Sequence, residues 1–212
     1  MWGTLNPFPF FTGGSQPAPA QRYILTLNGV NSYIDTGGYT YSGDFWIEVT
    51  AQLPAVLPAS NQAFFGGSGG GSPNAGAFTL FLNPAQNTIS TQIPTSSGGT
   101  RYDLGVSAAS YLGKVVKFRI ERLSGVWTLQ IDDVLVDTYD SNPHGVVDME
   151  VTSIGRWSTT LYYSGAIYNY KDSLGNDLPI DDNSTTVIRN AGSGADATPI
   201  NVTPSMWSLI DV

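Results

Sequence analysis

The stretch Lys114-Val-Val-Lys-Phe-Arg-Ile-Glu-Arg-Leu-Ser-Gly-Val-Trp-Thr-Leu-Gln-Ile-Asp-Asp-Val-Leu-Val-Asp137 holds two runs of alternating apolar and polar residues, joined by Ser124-Gly125. Val116, Phe118 and Ile120 share one side of the first run, and Lys117, Arg119 and Glu121 share the other. A period of two with one apolar face is the pattern of a half-buried strand. Trp127, Leu129 and Ile131 give the second run a matching apolar face. Ser124-Gly125 is a two-residue connection of the length that closes a tight hairpin. Asp132-Asp133 marks the next turn, since aspartate tolerates the left-handed backbone such turns need.

The same period recurs upstream. In Asp44-Phe-Trp-Ile-Glu-Val-Thr-Ala-Gln-Leu53, the residues Phe45, Ile47, Val49, Ala51 and Leu53 share one face, and Asp44, Trp46, Glu48 and Thr50 the other. Tyr23–Thr36, Phe64-Phe65, Phe78–Leu82, Thr88–Ile93, Arg101–Leu104, Ser153–Arg156 and Tyr163–Tyr168 read as further strands, and Met206–Ile210 as a closing one. Gly66–Gly76 is a glycine-rich loop with no phosphate-loop lysine and no helix after it, so it reads as a connection, not a nucleotide site. With 24 Gly, 13 Pro and only 12% charged residues, the composition fits an all-β chain rich in turns.

The order of these segments resembles the concanavalin A-like jelly rolls of laminin-G and pentraxin type. The resemblance covers residues 22 to about 170 closely and 171–212 more loosely. Related families place glycine after the first turn aspartate, where this chain has Asp133. The resemblance implies a two-sheet antiparallel jelly-roll sandwich over residues 22–212, with the final strand pairing near the first. Residues 1–21 read as a separate arm, with an apolar half followed by a polyproline-type linker. Trp2, Leu5, Phe8, Phe10 and Phe11 of that arm either fold back over an edge strand or anchor the domain on a partner.

The net charge of −8 would repel phosphates and argues against nucleic-acid binding. Without cysteine there is no disulfide, thiolate metal site or thiol nucleophile. This points to a bacterial or phage product folded in the cytoplasm. No run of 18 apolar residues is present, so no membrane helix is expected. Pro7 and Pro9, with no basic residue before them, argue against a signal peptide.

Glycan hydrolysis needs two carboxylates flanking one bond. Glu48, Glu121 and Glu150 are the only glutamates, and none begins a paired-carboxylate strand motif. Asp44 and Glu48 share a face but stand roughly 13 Å apart on an extended strand. His144, the single histidine, lies in a turn without a nucleophile elbow. Catalysis is therefore not expected. Laminin-G and pentraxin sites make calcium the metal to consider, with Asp132, Asp133, Asp181, Asp182 and Asn183 as ligand candidates. The expectation is that these residues form turns, and no cofactor is assigned. Asn183 and Asn201 begin glycosylation motifs that matter only in a secretory context.

For sugar binding, exposed aromatics are needed, and Trp157, Tyr162 and Tyr163 are the leading candidates, with Trp46 beside them. The low count of basic residues favours a neutral glycan. Cysteine-free laminin-G-like modules with an apolar arm resemble bacteriophage virion proteins. That implies a head decoration, head fibre or tail protein on the virion surface, homo-oligomeric and docked on capsid or tail proteins through its arm. The alternative is a carbohydrate-binding module for host or environmental glycans.

Overall fold

The computed structural model describes residues 21–67, 78–93, 102–140, 148–157, 159–181 and 183–211. The arm residues Trp2, Leu5, Phe8, Phe10 and Phe11, together with His144, Asp182 and most of the glycine-rich loop, lie outside the described residues.

The strands are β1 Gln21–Asn28, β2 Tyr33–Tyr41, β3 Phe45–Gln52, β4 Gln62–Gly66, β5 Thr79–Asn83, β6 Thr88–Ile93 and β7 Tyr102–Ser107. They continue with β8 Val115–Leu123, β9 Val126–Ile131, β10 Val134–Asp140, β11 Met149–Ile154, β12 Arg156–Trp157 and β13 Leu161–Tyr162. The last are β14 Ser164–Asp172, β15 Asp177–Pro179, β16 Thr198–Ile200 and β17 Trp207–Asp211. Among the described residues the one helical element is a 3-10 turn at Pro204–Met206.

Two antiparallel sheets face each other. One runs β10-β9-β8-β3-β14-β1-β17, with β15 beside β14, and the other runs β16-β2-β11-β4-β5-β6-β7. β12 and β13 form a separate two-stranded ribbon. The closing strand β17 pairs with β1 from Gln21↔Asp211 to Leu25↔Trp207, as the resemblance implied. The architecture is the expected jelly-roll sandwich.

Alternation places the core. Phe45, Ile47, Val49, Ala51 and Leu53 are buried, as are Val116, Phe118, Ile120, Trp127, Leu129 and Ile131. Side chains meet between the sheets: Phe64 stands 4.8 Å from Phe118, and Phe65 stands 6.3 Å from Tyr170. At one edge Asp137 joins the sheets by accepting the Gly105 N–H at 2.8 Å.

The two turns read from the sequence take the same form. Ser124 and Gly125 have φ of 50° and 83°, and Asp132 and Asp133 have 51° and 66°. Two successive left-handed residues match the right-handed twist of the flanking strands. Asp44 accepts the Ser124 N–H at 2.7 Å, Asp132 accepts the Lys117 N–H at 3.0 Å, and Asp133 pairs with Lys117 Nζ at 2.7 Å. These aspartates hold turns together. Among the described residues no three His, Asp or Glu side chains gather into a metal-binding group.

Burial has a pH consequence. Desolvation pushes the Tyr39 phenol up to about 12, and Tyr41, Tyr163 and Tyr170 are also raised by burial. Above pH 10 the unfolded chain releases these protons while the folded chain keeps them. Stability is therefore lost as pH climbs through 10 towards 12. The thermal midpoint should fall steeply between pH 10 and pH 12, and phenolate absorbance from these residues should appear together with unfolding. A midpoint that holds steady across that interval would contradict the burial.

Candidate functional site

Strand β2 is broken by Gly37 and Gly38, whose φ values are 73° and 94°. Tyr39 pairs with Val151 and Asp35 pairs with Ser153, so three residues of β2 oppose the single Thr152. Inward side chains switch from Ile34 and Thr36 before the bulge to Tyr39 and Tyr41 after it. The bulge is pinned by its own side chains. Asp35 accepts the Gly37 N–H at 2.9 Å, and Thr36 donates to the Val151 carbonyl at 2.8 Å. Such bulges redirect side chains.

A second wall comes from the turn between β14 and β15. Its hub is Asp172, only 3% exposed. One carboxylate oxygen accepts the N–H groups of Leu174 and Asn176, at 2.9 and 3.0 Å. The other accepts the Tyr41 hydroxyl at 2.6 Å and the Asn176 side-chain amide at 2.7 Å. Since the Tyr41 proton goes to Asp172, the 2.6 Å contact between Tyr41 and Tyr170 has Tyr170 as donor.

The third wall is Asn190–Asp196, docked on that turn. Asn190 donates to Asn176 at 2.9 Å and to the Ala195 carbonyl at 3.1 Å, and it accepts the N–H groups of Asp177 and Gly192, each at 2.9 Å. A Cβ at Gly192 would overlap the Gly175 carbonyl, and one at Gly194 would overlap the Asn176 side chain. The approach is possible only with glycine at both positions.

These walls enclose a cleft of about 560 Å³, lined by Asp35, Thr36, Tyr39, Leu174, Asn176, Asp196 and Thr198 among others. Its acceptor-only groups are the Asp35 and Asp196 carboxylates, while the Thr36, Tyr39 and Thr198 hydroxyls and the Asn176 amide both donate and accept. Tyr39 lies at its base, near the Ala195 carbonyl at 3.4 Å.

Along β2, Tyr33 and Asp35 point to the same outer side, because Ile34 between them enters the core. Two residues of strand separate them by roughly 6–7 Å. The Arg156 guanidinium stacks on the Tyr33 ring, 3.6 Å from its centroid. Tyr162, the ladder partner of Arg156, lies 6.4 Å from Tyr33 at an interplanar angle of 47°. Asp35 of the cleft thus shares the outer side of β2 with a platform of two tyrosines and an arginine.

Of the three aromatics expected to bind glycan, Tyr162 stands on this platform, half-buried. Trp157 is half-buried too, but it stacks on Phe81 with centroids 6.4 Å apart and sits against Gly66, covering the outer side of β4 and β5. Tyr163 departs from the expectation. It is fully buried, its ring 4.8 Å from Phe64 and its hydroxyl donated to the Gln52 carbonyl. Its N–H bonds the Gly155 carbonyl at 2.9 Å after the ribbon ends, and Gly165 leaves space for its ring. Consecutive tyrosines on extended chain must point oppositely, so one of them had to turn inward. Trp46, on the other sheet's outer face, is covered by the Arg119 guanidinium at 4.4 Å.

Asp35, Tyr39, Asn176, Asp196 and Thr198 were not expected from the sequence. The glycine pair inside a strand pattern was the available signal, since glycine within a strand marks a bulge or a close approach.

No family model matches the chain, and no curated protein matches its sequence. Solved structures do resemble it. The Ruminococcus gnavus IT-sialidase CBM40 bound to α2,3-sialyllactose superposes with a TM-score of 0.51 at 13% identity, over 72% of this chain and 90% of that one. The mouse laminin α1 chain, domains LG4-5, superposes with a TM-score of 0.54 at 12% identity. That match covers 88% of this chain but 48% of the laminin fragment, so the chain spans about half its length. At these identities the likeness is one of fold, and the fold is the concanavalin A-like jelly-roll sandwich.

Proposed function

We propose that the protein is a non-catalytic glycan-binding domain that engages its ligand along the outer side of β2. The observation that carries this is the placement of a cleft bearing two carboxylates beside an aromatic platform on β2. Carboxylates and amides hydrogen-bond sugar hydroxyls, while tyrosine faces pack against the apolar side of a pyranose ring. A surface that sets the two side by side suits a ligand of more than one sugar unit. The likeness to a CBM40 solved with sialyllactose supports the same function.

Binding, not turnover, suits the outer carboxylates of the other sheet. Glu121 pairs with Arg119 at 3.3 Å, Glu48 stands in register with Arg119 and Lys171, and Asp44 caps a turn. The solved structures above are a bacterial CBM40 and an animal laminin, so the virion placement expected from the sequence draws no support from them.

Glycan-array screening followed by calorimetry tests the proposal. Asp35→Asn keeps an oxygen for the Gly37 N–H while removing a charged acceptor, and Asp196→Asn does the same for the Asn190 N–H. Each should weaken binding by about tenfold, the effect of losing one charge-assisted hydrogen bond, with little change in thermal midpoint. An array without a hit, or affinity that neither substitution alters, would refute the assignment.

A further inference from the structure

We propose that Arg156 is the carboxylate-binding residue of this surface, so that the ligand is a glycan carrying a single carboxylate. The inference rests on the glycan-binding function proposed above and specifies its ligand class. Three basic side chains have acidic partners, Lys117 with Asp133 at 2.7 Å, Arg119 with Glu121 at 3.3 Å and Lys171 with Asp177 at 3.0 Å, whereas Arg22, Arg122 and Arg156 lie over aromatic rings without one. Arg156 forms no ion pair with any described residue. It stacks on Tyr33 instead, and its Nε is enclosed without a hydrogen-bond partner. Arg122 is buried near Trp127 and Arg22 lies over Tyr168, both on the other sheet, so the half-buried Arg156 is the one of the three that stands beside Asp35 on the platform.

Stacking holds the guanidinium plane in place. A planar fork fixed in this way presents paired N–H donors in the geometry that matches a carboxylate. Partial removal from water strengthens that attraction. The surroundings set an upper limit on ligand charge. Asp35 lies two residues along the strand from Tyr33, and Asp196 lines the same cleft. Their charges, with the overall −8, repel a polyanion such as a sulfated chain. One carboxylate on Arg156, with sugar hydroxyls directed to Asp35 and Asp196, satisfies both ends of the surface. The sugar acid can be a nonulosonic acid or a hexuronic acid, which share this chemistry.

Titration calorimetry with α2,3-sialyllactose, cellobiouronic acid and lactose distinguishes the cases. At least one acidic sugar should bind about tenfold or more tightly than lactose, the scale of a bidentate charge-assisted contact. Which of the two does so identifies the source of the carboxylate. Arg156→Met keeps the stem over Tyr33 and should erase the difference, and Arg156→Lys should retain only part of it. If the methionine variant does not fold, a lysine variant with an unchanged thermal midpoint and a reduced margin decides the matter. Equal affinity for acidic and neutral sugars, or a margin that survives Arg156→Met, overturns the inference. Array hits confined to neutral glycans overturn it while leaving glycan binding intact. Absence of any glycan ligand removes both.

Discussion

Trp127→Ala is expected to destabilise the fold by about 3–5 kcal/mol, the range for truncating a buried large aromatic. The indole is 1% exposed and packs 5.5 Å from Phe45 on β3 and 5.6 Å from Phe78, the residue just before β5 of the facing sheet. Phe45 is held in the β3 ladders and Phe78 by its carbonyl bond to the Gly67 N–H, so neither collapses freely into the space and the cavity term adds to the lost transfer energy. Domains of this kind are stable by only about 5–15 kcal/mol in total. The urea midpoint should drop accordingly while the slope of the transition stays constant. A shift of less than about 1 kcal/mol would mean that the surrounding rings relax to fill the void, against the expectation for a close-packed interior.

Asp172→Ala is expected to cost about as much for a different reason. Its carboxylate is the common acceptor for the Tyr41 hydroxyl, the Asn176 amide and two backbone N–H groups. Each donor left buried without an acceptor costs roughly 1–3 kcal/mol, reduced where the loosened turn admits water. Asn176 also supports Asn190, so the cleft should lose its wall, and glycan affinity should fall with stability. Asp172→Asn sharpens the test. An amide NH2 placed where Oδ2 now accepts two donors would oppose both the tyrosine hydroxyl and the Asn176 amide. If Asp172→Asn keeps the native midpoint and affinity, the carboxylate is not the hub its geometry indicates.

Much of the sandwich was legible because its central strands follow a strict period of two. Phe45 to Leu53, Val116 to Ile120 and Trp127 to Ile131 bury the faces that alternation assigns to them. The turns were legible because Ser124-Gly125 and Asp132-Asp133 are residues able to adopt positive φ. The cleft was hidden for the opposite reason. β2 breaks the period at Gly37-Gly38, so its second half, Tyr39 and Tyr41, falls out of phase with its first. The walls join residues far apart in sequence, such as Tyr39 with Ala195 and Tyr41 with Asp172, through side-chain hydrogen bonds that leave no periodic trace. The ribbon β12–β13 is two residues per strand, too short for alternation to separate Tyr162 on its surface from Tyr163 in the core. Arg156 was visible as a residue, but its lack of an acidic partner depends on distances that only the fold supplies.

The glycine-dependent docking of Asn190–Asp196 divides the site into a frame and a lining. Gly192, Gly194, Asn176 and Asn190 hold the wall by contacts that admit no larger atom. Leu174, Asp196 and Thr198 face the opening as exposed side chains and carry none of the sandwich core. A combinatorial library restricted to Leu174 and Thr198, leaving the Asp196 carboxylate to accept the Asn190 N–H, could be screened for new sugar selectivity without re-optimising stability. The same library placed on the glycines would return mostly misfolded clones.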